Sequence, residues 1–405
     1  MLKSMRLTTA LLLFGLLAPS LSGKRAQPIR ASRVDLGDEV FESLLLSGFG
    51  KSQGGWRWTG RNFAVSLVRP AGRDTVYLVL DFGFPIELAQ VTQAVLISAK
   101  VNGVSIGAPQ RFSKTGRYQF VAAVPESALK VQPAKVEFEL DKTFPSPEGE
   151  HGLTALSIGL MHSEGSPLDR EAEAARAREG FEYLLAKRAM SIPADKQSDM
   201  VKLFHDVPVW SHMYFHNVPI EKNPLDLWMV QQIIYELQPD LIVETGTWRG
   251  GSALYWAHTL NGMGLERSRV VTVDIQVAHQ TAATHPLWKK YVTAITGSST
   301  DPDVVARIAL MAKGKKTLIA LDSDHRMAHG LKELSLYSPM VSRGSYLIVE
   351  DTHMDGVPTA PSFGPGPMAA VRKFLEEGGD KLFEQDVTRE AYIMTFNPGG
   401  WLRRK

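Results

Sequence analysis

Residues 240–252 read DLIVETGTWRGGS: an apolar run that ends on an acid and opens at once into a glycine-rich loop. That is the junction of a buried strand with a following helix, and the flanking sequence repeats it. LWMVQQIIYEL before it has the spacing of an amphipathic helix, and SALYWAHTL after it reads as a helix capped by Ser252. RVVTVDI, YVTAITG, PDVVARIALMA, TLIALD, HGLKELSLYS, SYLIVED and GPMAAVRKFLEEG continue the alternation, and AYIMTF is predicted as the closing strand. Apolar strands alternating with helices predict a parallel sheet covered on both faces, so residues 201–405 are expected to be a doubly wound α/β domain.

Ligands of such sheets bind outside the carboxyl ends of the strands. Those ends are Glu244, Asp274, Gly297, Asp322 and the pair Glu350 and Asp351. Acids close four strands of five, which packing alone does not require. The loop spacing is E-x-G-x-x-x-G-G, on Glu244, Gly246, Gly250 and Gly251. It lacks the lysine and hydroxyl residue of a phosphate-binding P-loop and the glycine that a dinucleotide fingerprint puts against the pyrophosphate. With Asp274 placed to accept hydrogen bonds from a ribose diol, the loop suits a nucleoside cofactor; a tight structural turn is the competing reading.

Asp322, Glu350 and Asp351 lie on adjacent strand ends, and like charges so close need a cation or a proton. An all-oxygen set suits Mg²⁺, with surface capping as the alternative. His325, three residues past Asp322, is placed to take a proton near neutral pH. His353 is left unassigned.

Upstream, residues 34–163 carry short strands such as FAVSLV, TVYLVLDF and AKVEFEL, punctuated by turn residues, and are expected to form an all-β sandwich. GGWRWTGRNFAVSLV with VNGVSIG resembles the galactose-binding-like and carbohydrate-module sandwiches. That resemblance implies a sugar platform on Trp56, Trp58 and Arg61, against which stands the reading of both tryptophans as core. Residues 164–200 are expected to be a helical connector.

Residues 1–25 carry Lys3 and Arg6, then a run without charge that reaches Gly23, then Lys24 and Arg25, fitting a signal peptide or a short membrane anchor. The chain has no cysteine, which excludes disulfides, thiolate catalysis and thiolate metal sites. A net charge of +2 and no basic run interleaved with aromatics argue against nucleic acid as a partner.

PDLIVETGTWRGGSALYWA, ALDSDH, ELSLYSPMVSRGSYLIVEDT, FGPGPMAAVRKFL and TFNPGGWLRR, in this order, resemble the cephalosporin hydroxylase and rhamnosyl O-methyltransferase family. The resemblance covers roughly residues 200 to 405 and implies a Rossmann-like methyltransferase domain that uses S-adenosylmethionine. It places the cofactor on Glu244, Gly246, Gly251, Ser252 and Asp274, with the adenine side near Ser298 and Ser299, and Mg²⁺ on Asp322, Glu350 and Asp351. Catechol-type methyltransferases are similar here, with a catalytic lysine where this chain has His325.

The function this implies is Mg-assisted O-methylation of a hydroxyl on a sugar or glycolipid acceptor, with Asp322 and His325 catalytic. An iron hydroxylase and a non-catalytic exported carbohydrate binder are the alternatives. Because S-adenosylmethionine is made in the cytosol, the expected location is membrane-associated with the domain facing the cytoplasm, against export with a cleaved signal peptide. A homo-oligomer stays open.

Overall fold

The computed structural model describes residues 29–162 and 170–405. The leader expected at residues 1–25 lies outside them. No helix among the described residues is long and apolar enough to cross a membrane.

Residues 33–162 form one ten-stranded antiparallel sheet folded into two layers, which join where strand 57–67 pairs with strand 154–162. Strands 57–67, 95–101 and 134–140 belong to one, and 76–84, 116–124 and 154–162 to the other. One core serves both: Phe120 of the second layer meets Phe138 of the first edge-on at 5.7 Å, and Phe138 stacks on Phe63 at 5.0 Å. Strict alternation produces this, since Val95, Ile97, Ala99 and Val101 point inward while their neighbours are exposed or half-buried. Trp58 is half-buried against that core, stacked on His151 at 4.9 Å, with Trp56 edge-on at 5.1 Å. Arg61 donates to the Asp141 carbonyl.

Helix α1 (Arg170–Ser191) touches both halves of the chain. On the sandwich side Glu179 accepts from Ser32, and Tyr183 and Lys187 donate to Asp38. On the other side Arg188 donates to the carbonyls of Glu390 and Tyr392. Helix α2 (Ala194–Asp206) follows after a short break.

The second half is the doubly wound sheet. In chain order it comprises α3 (Pro224–Leu237), β1 (Leu241–Thr245), α4 (Gly251–Gly262), β2 (Arg269–Asp274), α5 (Pro286–Tyr291), β3 (Val292–Thr296), α6 (Pro302–Ala312), β4 (Thr317–Leu321), α7 (Met327–Tyr337), β5 (Tyr346–Val349), α8 (Pro367–Glu376), β6 (Phe383–Gln385) and β7 (Trp401–Arg404). The strand order is β3-β2-β1-β4-β5-β7-β6. β1 to β5 run parallel, and β7 returns antiparallel to β5 and β6. Leu241 and Val243 face α6, α7 and α8, whereas Ile242 faces α3, α4 and α5. Every residue of β1 and β4 is buried, as a strand covered on both faces requires. Strand order reverses between β1 and β4, which opens a crevice at their carboxyl ends.

The structure corrects two local expectations. Ser252 does not cap α4; the cap is Gly250 at φ +84°, and Ser252 is buried inside the first turn. AYIMTF is not the closing strand. Its backbone is taken by side chains of α3 and its cap, since Phe396 N–H donates to Asp226 at 2.7 Å and the Met394 carbonyl accepts from Asn223. The sheet edge falls instead to Trp401–Arg404, and the sheet is parallel only as far as β5.

Candidate active site

Two cavities open at the carboxyl ends of the strands, of about 350 and 380 Å³, and Gly246, Trp248, Asp274 and Ser323 line both. The loop after β1 builds their shared wall. Gly246 has φ +88°, and a Cβ there would sit 2.0 Å from the Asp322 carbonyl, so only glycine brings β1 and β4 this close. At Gly251 a Cβ would sit 2.2 Å from the Pro219 carbonyl.

Asp274 is fixed by the loop it faces. Trp248 N–H donates to its Oδ2 at 2.8 Å and Gln276 N–H to its Oδ1 at 2.9 Å. Trp248 itself holds φ 42° with its ring on the cavity wall and beside Arg249. The loop's one large aromatic thus has a place: its amide orients the acid, and its indole covers the cleft. Ser298 and Ser299 line the second cavity, where Ser299 Oγ lies 3.1 Å from His329 Nε2. Ser252 lines the first.

Glu244 departs from its expected position at the cofactor. It is fully buried and lines neither cavity, accepting instead from Trp256 Nε1 at 3.1 Å and Thr272 Oγ1 at 2.8 Å. Burial raises its pKa, countered by Lys222, Ser252 and Thr272. The acid locks β1 to α4 and β2.

The carboxylates at β4 and β5 meet a cation that sequence patterning misses. Lys222, in the approach to α3 and 7% exposed, donates to Asp322 Oδ2 at 2.5 Å and to Glu350. No spacing rule flags it, because it lies 100 residues from Asp322. Burial works against its charge, yet Asp322, Glu350, Glu244 and Asp351 outweigh that and hold it well above the usual lysine range. Burial likewise opposes charge on Asp322, but Lys222 and His325 hold its carboxyl low, while burial pushes Glu350 upward against the pull of Lys222.

A divalent ion is therefore tested on different donors from those expected. Asp322, His325 and Asp351 each offer one ligand atom, all within 4.8 Å of one another. Two carboxylates and an imidazole fit such an ion. Glu350 is instead directed at Lys222. Asp351 holds φ +55°, its N–H donating to Asn397 Oδ1 at 3.0 Å, so an uncommon backbone conformation aims it at the cleft.

His325 Nε2 lies 3.3 Å from both Asp322 Oδ1 and Asp351 Oδ2. Burial disfavours its charge, but the hydrogen bond to Asp322 and the charges of Asp351 and Asp322 prevail and raise its pKa to about 9. The expectation of a free imidazole at neutral pH is corrected for the metal-free protein: the ring is an imidazolium between two carboxylates. Because the folded value lies above the ordinary 6.5, this pair stabilises fully below about pH 6.5 and loses that stabilisation as pH rises through about 9. Melting curves with chelator should fall by several degrees between those limits, a loss on the order of 2 kcal/mol, and His325→Gln should flatten the slope.

Beyond these groups the first cavity is walled by His205, Trp210, His353, Met354 and Phe396, with Glu221 at its edge. His353 is 2% exposed, and burial depresses its pKa to about 4.

The family described as Rhamnosyl O-methyltransferase/CmcI matches residues 207–405. A Rhamnosyl O-methyltransferase of Mycobacterium bovis is 35% identical over 206 residues, 50% of this chain and 82% of that relative. One from Mycobacterium leprae is 35% identical over 204 residues, 49% of this chain and 85% of the relative. A solved structure of cmcI with Mg and SAM aligns at 19% identity and a TM-score of 0.39, covering 48% of this chain and 77% of that one.

Proposed function

The chain belongs to the rhamnosyl O-methyltransferase/CmcI family and is a methyltransferase; from that premise we propose that residues 207–405 methylate a hydroxyl of a sugar or glycolipid, using S-adenosylmethionine. The observation that carries the cofactor is Asp274, oriented by the Trp248 and Gln276 amides at the mouth of the glycine loop, where both cavities meet. A carboxylate so held accepts both hydroxyls of a ribose.

Gly246, Asp322, His325 and Asp351 line the same cavity as Asp274, so a cofactor held there would have its methyl group within reach of the carboxylates. The acceptor hydroxyl donates to one of these carboxylates, which raises electron density on its oxygen. That oxygen forms the new C–O bond as the C–S bond breaks and the thioether leaves neutral, while the proton passes to the carboxylate cluster. A divalent ion on Asp322, Asp351 and His325 would lower the pKa of a bound hydroxyl. Lys222 keeps Asp322 ionised and in place beneath the acceptor. The same reading puts the enzyme on the cytosolic side of a membrane, held by residues 1–25, with the sandwich beside it.

Asp274→Ala and Asp322→Ala separate the two roles. With radiolabelled S-adenosylmethionine and a cell glycolipid extract, Asp274→Ala should weaken cofactor binding roughly 10²-fold, as the loss of two charge-assisted hydrogen bonds requires. Asp322→Ala should retain binding and lower transfer on the order of 10³-fold. Transfer unchanged by Asp322→Ala, or turnover that needs iron and 2-oxoglutarate instead, would sink the proposal.

A further inference from the structure

Two stacked ring pairs meet at a corner of the first cavity. His205 and Trp210 stack at 5.9 Å and 22°, and His353 and Phe396 at 4.0 Å and 8°; the two pairs join where His205 meets His353 at 5.6 Å and 68°. Their polar handles are mostly turned inward. Trp210 Nε1 donates to the His205 carbonyl at 3.1 Å, and His353 Nδ1–H donates to the Phe396 carbonyl at 3.0 Å. The corner therefore offers the cavity ring faces and edges. Asp322, His325 and Asp351 stand between it and the cofactor loop.

The geometry points to this corner as the acceptor subsite, with His205 and Trp210 as specificity-determining residues for an uncharged ring whose apolar face stacks there while its hydroxyl reaches the carboxylates. The inference rests on the methyl-transfer reading. A pyranose meets the requirement through its C–H face. A phosphorylated or sulfated ring does not, because the lining carries Glu221, Asp274, Asp322 and Asp351, and its Lys222 and His325 are already paired with carboxylates. His205 lies on α2, ahead of the residues the family matches. Acceptor choice is thus set partly by a helix outside the shared fold, held over the site by Val201, Phe204 and Trp210 packing on Met394 and Phe396.

The test is steady-state methyl transfer to a panel of alkyl pyranosides and their phosphate esters, beside direct titration of S-adenosylmethionine. The parent should use the neutral pyranosides and not the esters. Trp210→Ala and His205→Ala should raise the acceptor KM at least tenfold with kcat within a few-fold, and Trp210→Phe should restore most of the loss. Cofactor affinity should stay near its parental value, and the lower melting temperature expected of Trp210→Ala should return with Trp210→Phe. An unchanged acceptor KM, equal use of the esters, or cofactor affinity falling in parallel overturns the inference. A parent that binds the cofactor but methylates no panel member overturns the subsite chemistry and leaves the methyl-transfer reading standing, whereas a parent that binds no cofactor removes both.

Discussion

Lys222→Met should lower the melting temperature by about 10 °C and abolish measurable turnover. The ammonium is the only lysine or arginine charge within salt-bridge distance of Asp322 and Glu350 among the described residues, and all three groups are mostly or fully withdrawn from solvent. Removing one partner of a buried ionic group costs about 3–5 kcal/mol, here because Glu350 is left with no counter-ion and Asp322 with His325 alone. In a domain of this size each kcal/mol shifts the transition by roughly 2–4 °C. Burial raises the Glu350 pKa to about 8, so the penalty should grow as pH rises above that value, where the acid must ionise without its partner. A double variant, Lys222→Met with Glu350→Met, should recover much of the stability without recovering turnover. Thermal unfolding of the three proteins at two pH values decides it: a single variant as stable as the parent at neutral pH means that the contact holds nothing in place.

Gly246→Ala should be severely damaging for a single added methyl group. The residue pays for φ +88° as soon as it carries a Cβ, about 1–2 kcal/mol, and that Cβ lands 2.0 Å from a backbone carbonyl at the end of β4. A strand end cannot step aside as a flexible side chain would, so β1 and β4 must part and the cofactor wall opens. The expected result is loss of S-adenosylmethionine binding by more than about 10²-fold, with destabilisation of roughly 3 kcal/mol or more. Gly264→Ala is the control: φ is +69° there, but nothing lies within 4 Å of the added atom. It should cost only the backbone term. Equal effects from the two would show that close approach at Gly246 is immaterial.

The parts of this molecule that could be read in advance are those set by local periodicity. Unbroken apolar runs such as LIVET and TLIAL have one stable place, the middle of a covered sheet, and their terminal acids fall at its mouth for the same reason. Asp274, Asp322 and Asp351 therefore come together where expected. What could not be read depends on partners far away in sequence. Glu244 ends its strand like the other acids but turns toward Trp256 and Thr272, a choice made by tertiary packing. Lys222 lies in a loop with no pattern, and the rings of the acceptor corner come from α2, the turn after it, the segment after β5 and the approach to β7. AYIMTF has strand composition, yet the side chains of Asn223 and Asp226 take its backbone before a neighbouring strand does. Ser252 looks like a cap, but Gly250 holds a left-handed conformation that a side chain resists.

The last strand, Trp401–Arg404, pairs with β5, while Asn397 aims Asp351 and Phe396 closes the ring corner. During synthesis the sandwich, complete by residue 162, emerges roughly 10 to 50 seconds before those residues at about 5–20 residues per second. Until residue 404 is clear of the ribosome, the edge of β5 and the apolar underside of α2 stay uncovered beside a finished neighbour. A nascent chain stalled in that window exposes a sheet edge and a sticky helix at once, so the catalytic half, and not the sandwich, is where chaperone contact during translation should concentrate.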